Sequence, residues 1–308
     1  MSSPSTPLGP SNQNLKPGQG AILTIASLRY GSSDAPRDDD IQAELEHYTA
    51  KKNATVIKGL IGKLAEEEGT TAKPVIAVAH DWGSYIGQRL ALWYPEIVKA
   101  LTIVCVPWTP TTGGQRLDIK DIVKVLPNFA YQIQFASGEV DKRVAELGDQ
   151  GLRNFVMFGA GGAKEDGTSI FDPRKGLDLE ALGGKVTPRL YTDQAELDYV
   201  FEEYKRNGAH PPLNAYRVMP LNARDEAELP KSGDYKVPTT TLFIQALRDK
   251  ALPPAMSQGM ERFFADGVLT VKEIDADHFV QLEKADEFNK ALKEWLEEVV
   301  DKDQKSSL

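Results

Sequence analysis

The stretch 75-VIAVAHDWGSYIG-87 decides the fold, because an apolar run ends there on a charged residue. Residues 75–79 form a short apolar segment without polar alternation, as expected for a parallel strand that is buried on both faces. A helical pattern follows over residues 84–94 and is ended by Pro95. We therefore predict a strand that turns directly into a helix, with Asp81 at the turn.

The same alternation of strand and helix continues through the chain. Apolar runs at 101–106 and 241–244 predict two more buried strands, 21–26 predicts a fourth, and 269–274 predicts a more polar fifth. Helical patterns lie between these runs, and the last one precedes the C-terminus. This order predicts an α/β fold with a doubly wound parallel sheet.

Residues 110–235 interrupt the pattern with glycine-rich breaks and helical stretches, without a buried-strand run. We predict a helical cap over these residues, inserted after the strand that ends near Val106. The sheet core then comprises 21–109 and 236–302. Residues 1–20 are rich in Ser, Pro, Gly and Asn and predict a disordered arm, and 303–308 a tail.

Composition narrows the class of protein. The 308 residues are 41% apolar and carry a net charge of -9, which suits a packed core and disfavours nucleic-acid binding. No leader or membrane span is recognisable, so we expect a cytoplasmic protein, and the final Lys305-Ser306-Ser307-Leu308 does not match a peroxisomal ending. Cys105 is the only cysteine, and no metal or cofactor motif occurs, so we expect neither metal nor cofactor.

Asp81 stands at the centre of the frame Ala79-His80-Asp81-Trp82-Gly83. A strand that ends at small-x-nucleophile-x-small and turns into a helix is the nucleophile elbow of α/β-hydrolases. The helix N-terminus favours an anion at this point. The alternative is an ordinary Asp that caps the helix.

A nucleophile of this kind needs a histidine late in the chain and an acid between them. Among the four histidines only His278 follows a late strand and precedes the last helix. Asp249 follows the strand at 241–244 and could orient its imidazole. The alternative for Asp249 is an ion pair with Arg248 or Lys250. The other histidines are His47, His80 and His210.

From about residue 29 to 300 the sequence resembles the epoxide hydrolases of the α/β-hydrolase family. The similarity lies in RYGSSDAP, HDWGSYIGQRLALWYPE, NFAYQIQF, PLNAYR, LRDKALPPAM and DHFVQLEKADEF. The family motifs F-x-Y-Q and N-x-Y-R each carry a cap tyrosine, and here these are Tyr131 and Tyr216. The sequence departs from the family at Ala215, where the family usually has Trp.

The resemblance implies a reaction in two steps. Asp81 would attack an epoxide carbon to form an ester, while Tyr131 and Tyr216 protonate the ring oxygen. Water activated by His278, which Asp249 holds, would then release a vicinal diol, and the backbone N–H of Trp82 would stabilise the oxyanion. The expected partners are a small apolar epoxide and water, and a homodimer is left open.

The family's H-G-x-P loop and first strands have no counterpart in this sequence, so we expect a truncated fold. Either residues 21–26 pair with 75–79 or the chain folds poorly, and loss of one oxyanion donor would slow turnover ~100- to 1000-fold. Two alternatives remain open. One is a haloalkane dehalogenase, which shares HDWG and DHF but needs N–H donors around the halide, whereas no tryptophan lies between Trp108 and Trp295. The other is a non-catalytic, truncated family member.

Overall fold

The computed structural model describes residues 33–190, 193–231, 233 and 235–306. The predicted arm at 1–20 and the predicted strand at 21–26 lie outside these residues, and so does the predicted pairing of 21–26 with 75–79. No helix within the described ranges is long and apolar enough to cross a membrane.

The described elements alternate as the sequence predicts. The strands are β1 (Val75–His80), β2 (Val98–Val104), β3 (Phe171–Asp172), β4 (Gly176–Leu177), β5 (Thr240–Ala246) and β6 (Leu269–Ile274). The helices are α1 (Ile41–Glu46), α2 (Ala50–Glu67), α3 (Trp82–Trp93), α4 (Ile119–Val125), α5 (Ala130–Ser137), α6 (Glu139–Gly159), α7 (Gln194–Lys205), α8 (His210–Arg217), α9 (Met219–Asp225), α10 (Val280–Glu283) and α11 (Ala285–Ser306).

The central sheet has the order β1-β2-β5-β6, and every neighbouring pair is parallel. Its two middle strands are buried on both faces, as their unbroken apolar runs predict. In β2, Leu101 and Ile103 pack on the side of α2 and α3, whereas Ala100 and Val104 pack on the side of α11. This alternation follows from the two-residue period of a strand.

The predicted bounds of β2 lay too far toward the C-terminus. The strand spans Val98–Val104 rather than 101–106, because Cys105 has φ 66 and leaves the extended conformation. Because β2 ends at Val104, strands β1 and β2 end side by side, and His80 is paired with Val104. The carboxyl ends of parallel strands are where ligands bind in open α/β sheets.

The described part of residues 110–235 contains α4 to α9 and the short antiparallel pair β3 and β4, which joins no strand of the central sheet. No pattern in the sequence predicts β3 and β4, because strands of two residues are too short to show periodicity. Asp193 caps α7 through a hydrogen bond from the backbone N–H of Ala195, 2.8 Å long. At the C-terminus α11 continues to Ser306, beyond the predicted tail boundary at 303, because its last residues are helix-forming and lack Pro and Gly.

Candidate active site

Asp81 occupies a sharp turn between β1 and α3. Its backbone has φ 53 and ψ -124, which is strained for a residue other than glycine, and its carboxylate makes no capping hydrogen bond to α3. Ser84 holds the turn together, since its hydroxyl donates to the carbonyl of Ala79 at 2.7 Å and accepts from the N–H of Val104 at 3.0 Å. The turn therefore directs the carboxylate away from the helix and the core.

Helix α3 comes closest to the sheet at Gly87, one helical turn after Gly83 of the elbow frame. A Cβ atom at Gly83 would lie 3.9 Å from Cβ of Ala79, which is ordinary contact. At Gly87 it would lie 3.1 Å from Cδ1 of Leu101 and 3.4 Å from Cβ of Ala79. Gly87 is thus the position at which α3 requires a small residue in order to rest on β2.

The structure brings Asp81, His278 and Asp249 together at the carboxyl ends of the strands. Nδ1 of His278 lies 2.6 Å from Oδ2 of Asp249, and Nε2 lies 3.3 Å from Oδ1 of Asp81. Asp249 is almost fully buried, with 1% of its side chain exposed, whereas 35% of the Asp81 side chain is exposed and borders a cavity. One imidazole therefore joins a buried carboxylate to one that is accessible to a ligand.

The electrostatics make this a charged triad at neutral pH. Burial raises the pKa of Asp81, but the hydrogen bond and charge of His278 outweigh it and bring the pKa to about 2. Burial lowers the pKa of His278, but its hydrogen bonds to Asp249 and Asp81 raise it to about 10. The imidazole is therefore an imidazolium between two carboxylates.

Asp249 is oriented by its own loop. One oxygen, Oδ1, accepts the backbone N–H groups of Ala251 and Leu252 at 2.9 Å each, so that Oδ2 faces His278. Arg248 pairs instead with Asp275, Asp277 and Glu283. The ion pair considered for Asp249 and Arg248 in the sequence is therefore not formed.

His80 and Cys105 support the loop that carries His278, a role that the sequence analysis missed. Nε2 of His80 donates to the carbonyl of His278 at 2.9 Å, and Sγ of Cys105 donates to the same oxygen at 3.0 Å. Burial, followed by the charge of His278, lowers the pKa of His80 to about 4, so its ring is neutral. The ligand atoms of His80, Cys105 and His278 lie within 4.8 Å of one another. In this arrangement the ligand atoms of His80 and Cys105 are hydrogen-bonded to the carbonyl of His278.

Tyr131 from α5 and Tyr216 from α8 line the same cavity as Asp81. Their rings meet edge to face with centroids 5.8 Å apart, and a hydrogen bond joins their side chains. Tyr131 is buried, with 8% exposure, and burial together with the charge of Asp81 raises its pKa. The ring of Tyr216 also makes a T-shaped contact with that of Trp82 at 5.2 Å. The cavity that Asp81 borders therefore contains two neighbouring phenols.

A cavity of about 850 Å³ connects these side chains. Its inner lining includes the three residues of the triad, both tyrosines and Trp82, together with the aromatic rings of Phe135, Phe158, Phe171 and Phe279. The backbone N–H of Trp82 also lowers the pKa of the Asp81 carboxyl. The site thus combines an accessible anion, two phenols and an apolar wall.

The family follows from comparison with known proteins. Residues 27–285 match the family described as alpha/beta hydrolase fold. The chain is 36% identical to epoxide hydrolase srdG of Neurospora crassa over 286 residues, which cover 90% of this chain and 78% of that protein. The chain belongs to the epoxide hydrolases of the α/β-hydrolase family.

Other members of the epoxide hydrolase family show the same relationship at greater distance. Bifunctional epoxide hydrolase 2 of Sus scrofa is 28% identical, and the chain spans 46% of its length. A mutant epoxide hydrolase of Solanum tuberosum superposes with a TM-score of 0.67 at 22% identity, covering 87% of this chain and 81% of that one. Epoxide Hydrolase A of Mycobacterium thermoresistibile gives 0.65 at 25% identity, covering 88% and 80%.

Proposed function

We propose that this chain hydrolyses apolar epoxides to vicinal diols through an ester on Asp81. The arrangement that carries the proposal is the cavity lined by Asp81, by two phenols and by the His278–Asp249 pair, whose imidazole contacts Asp81. A carboxylate whose pKa is about 2 is ionised at any working pH, so it can attack without a base.

In the first step an oxygen of Asp81 bonds to an epoxide carbon, and the bond between that carbon and the ring oxygen breaks. The ring oxygen takes a proton from Tyr131 or Tyr216, which leaves a phenolate. Burial raises the pKa of Tyr131, so the phenol holds its proton until a strong base, the developing alkoxide, reaches it. The mutual hydrogen bond of the two tyrosines supports the resulting phenolate.

Ester formation changes the charge around His278. The ester of Asp81 is neutral, so one of the two carboxylates that hold the imidazolium is lost, and the pKa of His278 falls. The imidazolium proton then restores the phenol. His278 becomes a neutral base, and Asp249 keeps it oriented through Nδ1, 2.6 Å away.

In the second step neutral His278 takes a proton from water, and the hydroxide adds to the ester carbonyl. The backbone N–H of Trp82, which lowers the pKa of the Asp81 carboxylate, would stabilise the oxygen that becomes negative. Collapse of this intermediate expels the diol alkoxide, which takes the remaining carboxyl proton. Asp81 returns as a carboxylate beside protonated His278, so protons and charge balance over the cycle.

The alternative of a haloalkane dehalogenase gains less support from the site. Among the described residues that line the cavity, Trp82 is the only tryptophan, and Trp108 and Trp295 lie in the cores on the two sides of the sheet. Trp82 therefore offers one indole N–H to a halide, whereas the cavity contains two phenols. The two phenols instead match the need of an alkoxide for a proton.

The test is a single-turnover reaction with an aryl epoxide, quenched in acid. We expect a vicinal diol and, before it, a mass increase equal to one substrate on the peptide that contains Asp81. Asp81→Asn should give neither. Halide release from a chloroalkane without diol formation would support the dehalogenase, and no reaction with either substrate would support the non-catalytic alternative.

A further inference from the structure

His210 lies outside the proposed catalytic triad, at the start of α8, between two carboxylates from different elements. Its Nδ1 atom is 2.6 Å from Oδ2 of Asp141 in α6, and its Nε2 atom is 2.8 Å from Oε1 of Glu44 in α1. The Glu44 and Asp141 side chains are only 5% and 13% exposed, and that of His210 is 26% exposed. A charged cluster of this kind, largely withdrawn from water, needs a specific balance of charge.

Three charged side chains from three helices contact the ring of His210. Its two ring nitrogens face the carboxylates of Glu44 in α1 and Asp141 in α6, and Nη1 of Arg217 in α8 lies 3.3 Å from its Nδ1. Burial raises the pKa of Glu44 and Asp141, but hydrogen bonds within the cluster outweigh it and lower the pKa of both carboxyls, so these remain ionised.

The cluster holds the helix that carries Tyr216. Asn214 donates to Oε1 of Glu44 at 2.8 Å, and Arg217 donates to Oδ1 of Asn214 at 2.9 Å and to Oδ2 of Asp141 at 3.0 Å. Tyr216 lies between Asn214 and Arg217 in the chain. Both ends of α8 are therefore fixed against α1 and α6, which holds the segment that carries Tyr216 in the cavity lining.

We propose that His210 is a positioning residue for Tyr216, which it serves by fixing α8 between Glu44 and Asp141. The kinetic consequence rests on the proposed function, in which Tyr216 donates a proton only while the ester forms. Loss of the cluster should then slow ester formation and leave ester hydrolysis unchanged. A loss of stability alone would not separate the two steps in this way.

Glu44→Gln tests the proposal because it removes the charge and keeps the shape of the side chain. Its matched control is Glu46→Gln on the same helix, whose carboxylate pairs with Arg224 with 48% of the side chain exposed. In single turnover with an aryl epoxide, we expect Glu44→Gln to slow ester formation roughly 10- to 100-fold, the scale that a small misplacement of a reacting group costs. The rate of ester hydrolysis should stay within about twofold of the wild-type rate, and Glu46→Gln should change the rate of neither step.

A double-mutant cycle shows whether the effect passes through Tyr216. In the Tyr216→Phe background, where Tyr131 still donates, Glu44→Gln should have no further effect on ester formation. An additive effect there, or unchanged ester formation in the single variant, would overturn the proposal. Asp141→Asn, which neutralises the opposite carboxylate, should repeat the pattern if Glu44→Gln does not fold.

The placement of Tyr216 has a readout that does not depend on turnover, because its ring contacts that of Trp82 at 5.2 Å. Glu44→Gln should change the tryptophan fluorescence of the folded protein through this contact, whereas Glu46→Gln should leave it unchanged. Unchanged fluorescence in Glu44→Gln would overturn the inference even if the chain hydrolyses epoxides. If the fluorescence changes but the wild type forms no ester, the proposed function fails and the positioning of Tyr216 stands.

Discussion

Nε2 of His278 lies 3.3 Å from Oδ1 of Asp81, close enough for the proposed base to be held as a cation by the proposed nucleophile. This contact forms a simple switch, because an ester on Asp81 removes the charge that stabilises the imidazolium. The same imidazole can then serve as a base only after the first step is complete. The order of the two steps would follow from the electrostatics of one atom pair.

The first prediction concerns this contact in the absence of substrate. Asp81→Asn is neutral like the ester, so the pKa of His278 should fall from about 10 in the wild-type protein. A fall of at least one unit is expected, since an opposite charge at this distance commonly shifts a pKa by about one to three units. NMR titration of the His278 ring measures both values. Equal pKa values in the two proteins would mean that Asp81 does not control the base.

The same pKa predicts how stability varies with pH. The pKa of His278 is raised from 6.5 to about 10 on folding, so its contribution is fully present below pH 6.5 and is lost as the pH rises through about 10. The free energy of unfolding should fall across this window by up to about 1.4 kcal/mol per pH unit. His278→Gln should show a flatter dependence. Urea denaturation at several pH values gives both curves, and parallel curves would contradict the prediction.

Asp249→Asn should affect the second step more than the first. The amide would present N–H as well as oxygen to Nδ1 of His278 and would no longer stabilise the imidazolium that forms as water is activated. Ester hydrolysis should slow by about 10² to 10⁴, so the ester on Asp81 should accumulate. Mass spectrometry of the quenched protein detects it. If ester formation slows by the same factor and no ester accumulates, Asp249 acts in some other way.

The two tyrosines predict a complementary pattern. Tyr131→Phe or Tyr216→Phe removes one donor and leaves the other, whereas the double variant leaves the alkoxide without a phenol. Since a positioned acid contributes about 10² to 10⁴, the double variant should lose ester formation by at least that factor, and each single variant by less. Rapid-quench kinetics measures these rates. A double variant as fast as either single variant would remove the phenols from the mechanism.

The sequence predicted the strands of the central sheet because each shows a local pattern, and it predicted three site residues from their places beside those strands. Asp81 lies in a strand-turn-helix frame, Asp249 follows the apolar strand β5, and His278 follows the more polar strand β6, which ends on the same edge of the sheet. The structure places all three, with Tyr131 and Tyr216, around one cavity, and their roles stay predictions. Nothing in the sequence predicts the φ of 66 at Cys105, which ends β2 before the predicted boundary at 106.

Roles that depend on contacts between distant segments could not be predicted. His80 and Cys105 are hydrogen-bonded to the carbonyl of His278, although they lie 198 and 173 positions away from it in the chain. His210 precedes two prolines in the sequence, and its partners Glu44 and Asp141 lie 166 and 69 residues away from it in the chain. No periodicity or motif links such residues, since only tertiary packing makes them neighbours.

The buried ion pair of Arg89 and Glu226 gives a prediction on stability that is independent of catalysis. Nε of Arg89 lies 2.6 Å from Oε1 of Glu226, and both side chains are 1% exposed. Glu226 also accepts from the hydroxyl of Tyr85 and the backbone N–H of Thr112, so α3 is tied to the segment that leaves β2 and to the end of α9. Burial raises the pKa of Glu226, but Arg89 more than compensates and keeps the carboxyl ionised.

Arg89→Met should therefore leave a buried carboxylate without its cation, which costs about 3 to 5 kcal/mol when one partner of a buried pair is removed. The matched control is Lys185→Met, which removes the cation from an ion pair with Glu165 whose side chains are 72% and 68% exposed. The control should leave the unfolding midpoint in urea unchanged, because exposed pairs are screened by water. Equal midpoints for Arg89→Met and the wild type would show that Glu226 takes up a proton, or is solvated, without loss of stability.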